Sequence, residues 1–418
     1  MNTQFDVSAV RSDFPILDRL IRGNNRLVYL DSGATSQKPV SVLDAEREFY
    51  TKHNAAVHRG AHQLAEEATE LFEGAREKVA TFLGAKSEAI VFTKSATESI
   101  NLVAYSLGNA LPGSKFHIKP GDRIVVSEME HHANLIPWQE LAKRTGAELV
   151  WFSVDPNGRL DLSNISDLIN EKTKVVALTH QSNVLGTINP INEIAKQVRK
   201  VGAFFVLDAC QSVPHFAVQV SELDIDFMAF SGHKMLAPTG VGVLWGRQEL
   251  LDEMPPFLTG GSMIETVSME SATYLPAPKR FEAGVPNMAQ VVGLGAAVDY
   301  LNKLGMENIH NHEIQLTKLA IDGLSQIKGL QIIGPTNLEM RGGVVSFAIE
   351  GVHPHDLGQA LDQYGIAVRT GHHCAWPLIK KFKVVATTRA SLYLYNNTAD
   401  IEALVSGVER ARDYFVGR

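Results

Sequence analysis

The chain has 418 residues, 45% of them hydrophobic and 20% charged, with a formal net charge of −7 at pH 7. That is enough apolar material for a substantial core spread over roughly two domains. The acidic balance, with no basic run and no interleaving of aromatic and basic residues, excludes a nucleic-acid-binding class.

The N-terminal stretch MNTQFDVSAVRSDFPIL has neither a basic n-region nor an apolar h-region, and no later apolar run approaches a membrane span. A cytoplasmic location without membrane contact is therefore expected. From Leu27 to about Trp245 short apolar runs alternate with helical segments, as in AIVF, DRIVVSE, AELVWFSV, KVVALTH, AFFVLDA and DFMAF. Strands interleaved with helices argue an α/β fold with a mostly parallel sheet covered on both faces. Beyond about residue 296 the pattern becomes a long helical segment, followed by expected strands at Gly343–Ile349, Ile366–Arg369 and Arg389–Tyr395. The expected division is an N-terminal segment 1–26 packing with the small domain, a large domain 27–295 and a smaller C-terminal α/β domain 296–418.

Ligands in such sheets bind beyond the carboxyl ends of the strands. Those positions carry TKSATES, MEHHAN, HQSNVLG, DACQS and SGHK. Ser95-Ala96-Thr97-Glu98 fits a capping box in which Ser95 serves the Glu98 amide, leaving the Ala96 and Thr97 amides free at a positive helix end suited to a phosphate. Asp208 emerges directly from a buried strand, where a carboxylate needs a cation or donor, and Gln211 lies a turn later. His131 could lie flat on an aromatic ring, although a hydrogen-bonded core histidine is the commoner outcome. Lys234 sits on a loop between the apolar runs Asp226–Phe230 and Val241–Trp245, which Pro238 and Gly240 interrupt. A lysine partly desolvated there favours its neutral amine and becomes a Schiff-base nucleophile, against the alternative of an ordinary solvated lysine. The two cysteines, Cys210 and Cys374, form neither a disulfide framework nor a CxxC pattern. Cys210 is most simply a small buried hydrophobe.

Thr97, His131, Asn183, Asp208, Gln211, Ser231, His233 and Lys234 are together the residue types that a pyridoxal phosphate site requires. The ordered motifs EHHAN, SNVLGT, DACQS, SGHK, RTGHHCAWP and TRASLYLYN resemble those of the group II cysteine desulfurases of the SUF iron-sulfur assembly type, from about Asp13 to the C-terminus. The resemblance implies a fold-type I pyridoxal-phosphate-dependent transferase with Lys234 holding the cofactor as a Schiff base and shuttling the proton. It implies ring stacking by His131, a pyridinium partner in Asp208 and a phenolate donor in Gln211. Thr97, Ser231, His233 and the Ala96 amide would hold the phosphate. Asn183 and Arg389 would grip the carboxylate of L-cysteine, and Cys374 would accept its sulfur as a persulfide with Arg369 beside it. A free thiol is only a few per cent ionised at neutral pH, so Arg369, or a protonated His372 or His373, is expected to assist Cys374. The implied partners are a sulfur-acceptor protein of the SUF system and a second copy of the chain in a homodimer.

Two positions depart from the family pattern. Val285 stands in FEAGVPN where many relatives have a threonine reaching the neighbouring subunit's phosphate, and Ala96 replaces a threonine found in some members. His58 and His62 have metal-ligand spacing without an evident third ligand, so no metal is expected, and His58 and Arg59 are expected at the active-site mouth, with His58 counted among the substrate-binding residues alongside Asn183, Arg369 and Arg389. Selenocysteine lyase or cysteine sulfinate desulfinase activity is the nearest alternative, and a sulfur- or metal-binding scaffold the non-enzymatic one.

Overall fold

In a computed structural model that describes residues 5–417, the apolar runs of the first half become one seven-stranded sheet. Its strands are β1 (Ile90–Thr93), β2 (Arg123–Ser127), β3 (Glu148–Phe152), β4 (Thr173–Thr179), β5 (Phe204–Asp208), β6 (Phe227–Ser231) and β7 (Gly242–Gly246), in the spatial order β1-β7-β6-β5-β4-β2-β3. The pairings from β6 through β3 are parallel, and β7 runs antiparallel to both β6 and β1. Alternation along β4, β5 and β6 explains their near-continuous hydrophobicity. Leu178, Leu207 and Phe230 enter one core cluster, whereas Ala177, Val206 and Ala229 enter the other. Helices Gln63–Phe82 and Met288–Leu304 contribute Phe72, Val79, Leu294 and Val298 to the first. Helices Ala96–Gly108 and Ile136–Thr145 contribute Ile100, Val103, Trp138 and Leu141 to the second.

The C-terminal part is a four-stranded antiparallel sheet of β8 (Leu330–Ile333), β9 (Val344–Ile349), β10 (Arg369–Gly371) and β11 (Thr387–Ser391), in the order β8-β9-β11-β10. Helices Met306–Leu324, Pro354–Gln363 and Thr398–Val416 share a core with it through Ala320, Leu361 and Leu404. The expected strand Arg389–Tyr395 is displaced to Thr387–Ser391. The chain leaves the sheet after Ser391 because Tyr393 and Tyr395 turn inward, fully buried, with the Tyr393 amide on Asn396 Oδ1 and the Tyr395 hydroxyl on Ser32. β8, with its partly exposed pattern, has no counterpart among the sequence-based strands.

Both expected domain limits fall inside connected structure. Val28–Tyr29 pairs in parallel with Ile366–Ala367 in a separate two-stranded sheet, so the chain just after residue 26 is joined to the C-terminal part. The division after residue 295 cuts the continuous helix Met288–Leu304. The preceding segment is tied to the C-terminal part, with Arg11 bonding the Tyr395 carbonyl and Asp400, and Arg26 also pairing with Asp400.

One backbone contact sets the height of the helix Ala96–Gly108 over the sheet. A Cβ on Gly242 would stand 2.5 Å from Ser95 Cα and 2.8 Å from its nitrogen, so only glycine lets β7 pass beneath this helix start. Gly242→Ala should lower the unfolding free energy by about 1–3 kcal/mol through overpacking. Urea denaturation of the two proteins checks this, and equal stability would contradict it.

Candidate active site

The carboxyl ends of the parallel strands open into a cavity of about 290 Å³ that also receives residues from the C-terminal part. Asp208 is the last residue of β5, in register with Thr179 of β4 and Ala229 of β6. It is 3% exposed, and its Oδ1 accepts the Cys210 amide at 3.0 Å. Gln211 follows, donating through Nε2 to the Gly33 carbonyl at 2.9 Å while its Oε1 is buried without a partner. Cys210 also lines the cavity, but burial, and then Asp208, push its thiol up to about 12. It is an inert thiol in the present arrangement.

Lys234 closes a short helical turn, Gly232–Lys234, directly after β6. The turn is clamped from inside the protein: the Gly232 amide binds the Val241 carbonyl, the Met235 and Ala237 amides bind Gly232, and Met235, Leu236 and Ala237 are fully buried. From the other side the Ser36 amide, the Ser36 and Thr35 hydroxyls and the Lys38 ammonium converge on the His233 carbonyl. Lys234 is thereby presented to the cavity on a backbone with little freedom.

At the start of helix Ala96–Gly108 the Ser95 hydroxyl accepts the Glu98 amide, as the capping pattern requires. The expected free amide of Ala96 is instead taken by the Ser231 hydroxyl at 2.9 Å. Strand end and helix start are stitched together here, and Thr97 and His233 line the same corner. Burial is the main reason that His233 is pushed down to about 4, with the Lys234 and Lys38 charges adding to it.

His131 precedes a short turn whose Ala133 amide it caps through Nδ1. Burial first, and the Lys234 charge second, push it down to about 4, with Asp208 pulling the other way. It is a neutral ring at physiological pH. Beneath it Glu130 accepts the Ser127 hydroxyl and the Asn134 amide, and Asn134 in turn receives the Trp138 indole.

Cys374 also lines the cavity, exposed, in the loop joining β10 to helix Trp376–Lys381. His373 and Cys374 are consecutive left-handed residues, φ +50° and +55°, a conformation that costs about 1–2 kcal/mol each. Two bonds hold it: Asn183 Nδ2 donates to the His373 carbonyl at 2.7 Å and the His132 amide to the Cys374 carbonyl at 2.7 Å. Burial, then the Arg389 charge, push His373 down to about 3, and its Nε2 faces Thr387. The expectation that a protonated His373 assists the thiol is therefore corrected, because a desolvated ring beside an arginine stays neutral. The positive charge near Cys374 comes from Arg369 and Arg389, both of which line the cavity.

Arg389 is 2% exposed and donates from Nη1 to the Asn183 carbonyl, so these two residues are adjacent. His58 is the exception among the candidate residues. It lies outside this cavity, in a surface cleft with Arg59 and Val285, and its ring bonds Glu73 at 2.6 Å. Residues that sequence reasoning passed over line or support the cavity as well: Asp31, Gly33, Ala34, Lys38 and Gln181. Most follow the apolar run LVYLD, and the rule of inspecting strand ends, applied to that first run, finds them.

The donor set fits a phosphorylated pyridine. A buried carboxylate at one end, an unpaired amide oxygen at Gln211, a lysine, and a helix start with hydroxyl and imidazole neighbours are the groups such a molecule requires.

The comparisons with known proteins agree with this geometry. The aminotransferase class-V family model matches residues 28–404, and the chain belongs to that family. Within it, similar curated proteins are a probable cysteine desulfurase 2 of Mycobacterium leprae, 57% identical over 99% of this chain and 98% of the relative, and a probable cysteine desulfurase of Streptomyces coelicolor, 56% identical over 98% of each. Among solved structures, the apo cysteine desulfurase of Thermococcus onnurineus superposes with a TM-score of 0.90 at 42% identity, covering 96% of this chain and 97% of the other. A cysteine desulfurase of Escherichia coli in an S-sulfonic acid form gives 0.90 at 38% identity, covering 99% and 100%.

The buried network under His131 makes a pH-dependent prediction. Burial, the largest influence, and the Asp208 charge push Glu130 from 4.5 up to about 8, against the bonds from Ser127 and Asn134. A carboxyl whose folded value lies above its unfolded one takes up a proton on folding between the two, so this group weakens the fold as pH rises from about 4.5 to about 8. Glu130→Gln should gain stability relative to wild type across that window and differ by a constant amount outside it. Parallel stability curves for the two proteins between pH 4 and 9 would contradict the assignment.

Proposed function

We propose that this chain is a cysteine desulfurase that converts L-cysteine to L-alanine and carries the sulfur away as a persulfide on Cys374. The observation that carries the reading is that Lys234 and Cys374, held by different sheets, line one cavity that also contains a buried carboxylate and a buried arginine. Pyridoxal phosphate, when bound, supplies a sink for the electron pair released at the substrate's Cα.

In this reading Lys234 would hold the cofactor and move the Cα proton on its Nζ. Asp208 would keep a pyridine nitrogen protonated, and His131, as a neutral imidazole, and Gln211 would hold the ring. Thr97, Ser231, His233 and the Ala96 amide would hold the phosphate. Asn183 and Arg389 take the substrate carboxylate, a task for which the planar guanidinium is suited. Cys374 Sγ then forms a bond to the substrate sulfur as the C–S bond breaks, and the released carbon fragment takes up protons to become alanine. Arg369 favours the thiolate by its charge.

The sulfur is passed to an acceptor protein, and we place the chain with the group II, SUF-type enzymes that feed iron-sulfur cluster assembly in the cytoplasm. No helix among the described residues is long and apolar enough to cross a membrane. The Cys374 loop is pinned by Asn183 and His132, so the acceptor brings its own thiol to the mouth, where Trp376, 62% exposed and stacked on His372, offers an apolar contact. A homodimer accounts for Val267, Met269 and Val285, apolar side chains between 66% and 97% exposed. It also brings the cleft of His58 and Arg59 to a subunit boundary.

Purified protein should be yellow from bound cofactor. Lys234→Ala should lose both the colour and alanine formation while keeping its fold, and alanine formed near the wild-type rate would sink the assignment. Wild type should show a burst of alanine in the first turnover and a faster steady rate once acceptor or a small thiol is added. Cys374→Ala should lose the burst, and sulfide release undiminished in that variant would remove Cys374 from the reaction. Arg389→Lys keeps the charge but loses the fork, which should weaken apparent cysteine affinity by about 2 kcal/mol. An unchanged KM would point to a different carboxylate site.

A further inference from the structure

Lys38 is a half-buried lysine whose bonds all go to neutral oxygens. Its Nζ donates to the His233 carbonyl at 2.9 Å, to the Ser36 carbonyl and, more distantly, to Thr35 Oγ1 at 3.5 Å. Burial alone pulls it down to about 8, with no carboxylate among the described residues to offset the loss of water. The His233 carbonyl also faces the Ser36 amide and the Ser36 and Thr35 hydroxyls. These neutral donors already satisfy an oxygen with two lone pairs, so what Lys38 adds is its charge rather than one more bond. That charge is felt at the cavity: Lys38 joins Lys234 in pushing the His233 ring down, after burial as the main cause.

The corner beside His233 needs a cation. Thr97, Ser231, the neutral His233 ring and the Ala96 amide carry no charge, whereas a phosphate ester at neutral pH carries about −1.5 to −2. Of the other cations lining the cavity, Arg389 bonds the Asn183 carbonyl and Asp31, Arg369 is taken up by Asp31, and Lys234 is assigned to the cofactor's ring, while Asp208 adds a negative charge to the same space. Lys94 precedes the helix cap but is exposed and lines a separate cleft with Glu98. The titratable neighbours of the Lys38 segment offer no charge either. Tyr29 donates to the Thr35 carbonyl and Tyr395 receives the Gln37 amide, and burial pushes both phenols up, so they stay neutral. Asp31, at the start of the segment, is engaged by the two arginines.

We propose that Lys38 is a positioning residue that supplies the counter-charge of the cofactor's phosphate, acting through the His233 segment from outside the cavity lining. The inference rests on the reading of Thr97, Ser231, His233 and the Ala96 amide as the phosphate holders. A phosphate dianion favours the charged ammonium, so a Lys38 that loses its proton at about 8 in the free protein keeps it to higher pH once the cofactor is bound. Binding then takes up a proton above that value and none below it, and affinity for the phosphorylated cofactor falls as pH rises through about 8.

The test equilibrates wild type, Lys38→Met and Lys38→Arg with pyridoxal phosphate and, separately, with pyridoxal, from about pH 7 to about pH 9.5, and reads bound cofactor from its absorption. The ratio of the two dissociation constants isolates the phosphate, because the ring and Lys234 are common to both. In wild type the preference for the phosphorylated form should hold up to about pH 8 and decline above it, by at most about tenfold per pH unit. Lys38→Met should lose about tenfold or more of that preference at neutral pH and show no further decline. Lys38→Arg, charged throughout, should keep the preference and also show no decline. Inorganic phosphate, added alone to protein freed of cofactor, should raise the Tm of wild type more than that of Lys38→Met. A preference that stays flat in wild type, which needs no variant to measure, would overturn the proposal. So would equal weakening of pyridoxal and pyridoxal phosphate in Lys38→Met, the mark of a mere clamp on the turn, or a decline that persists in Lys38→Arg. If wild type binds neither form, the reading of the cofactor site fails instead, and the inorganic phosphate measurement alone decides the role of Lys38, equal gains in Tm counting against it.

Discussion

The parallel register of β4, β5 and β6 is the constraint on which the site depends. Because Thr179 stands opposite Asp208, and Asp208 opposite Ala229, β4 and β5 end at one level, β6 runs on to Ser231, and all three release polar residues into the same space. A slip of one residue would turn Asp208 into the opposite core face and bury an uncompensated carboxylate. Everything that follows the strands is then fixed by short connections: the turn carrying Lys234 begins at the next residue after β6, and Gln211 lies within one turn of Asp208.

The electrostatics of the cavity follow from desolvation more than from pairing. His131, His233 and His373 are all pushed down by burial, so the polar floor is made of neutral imidazoles rather than cations. Beside Lys234 and Asp208 the charged side chains are the arginines, and burial pulls even Arg389 down to about 10 with Asp31 opposing it. Such a cavity holds anions at chosen points and is otherwise a poor solvent for them, which suits chemistry that develops charge in the substrate.

Much of the cavity was legible in the sequence, because the parallel sheet announces itself as apolar runs and residues after these runs line it. Lys234, Asp208, His131 and the helix start after Ser95 were found that way. Three things were not. The Asp31–Lys38 stretch follows the first apolar run, but its partners, β11 and the His233 carbonyl, are hundreds of residues away, and no local pattern encodes that pairing. The bond from the Ala96 amide to Ser231 depends on β7 crossing close beneath the helix, a matter of packing. The neutrality of His373 depends on its burial against Arg389, whereas the sequence shows only a histidine beside a cysteine.

Asn183 receives a bond from Arg389 on its carbonyl and gives one to the His373 carbonyl from its amide, so a single residue joins the buried arginine to the loop that bears the thiol. The two walls of the cavity therefore share a mechanical part. Thermodynamic coupling through such a part is reciprocal: whatever tightens the arginine on a bound carboxylate also changes how firmly the left-handed pair at His373 and Cys374 is held, and the reverse. A substitution at Asn183 accordingly shifts the setting of Arg389 and the placement of the Cys374 thiol together.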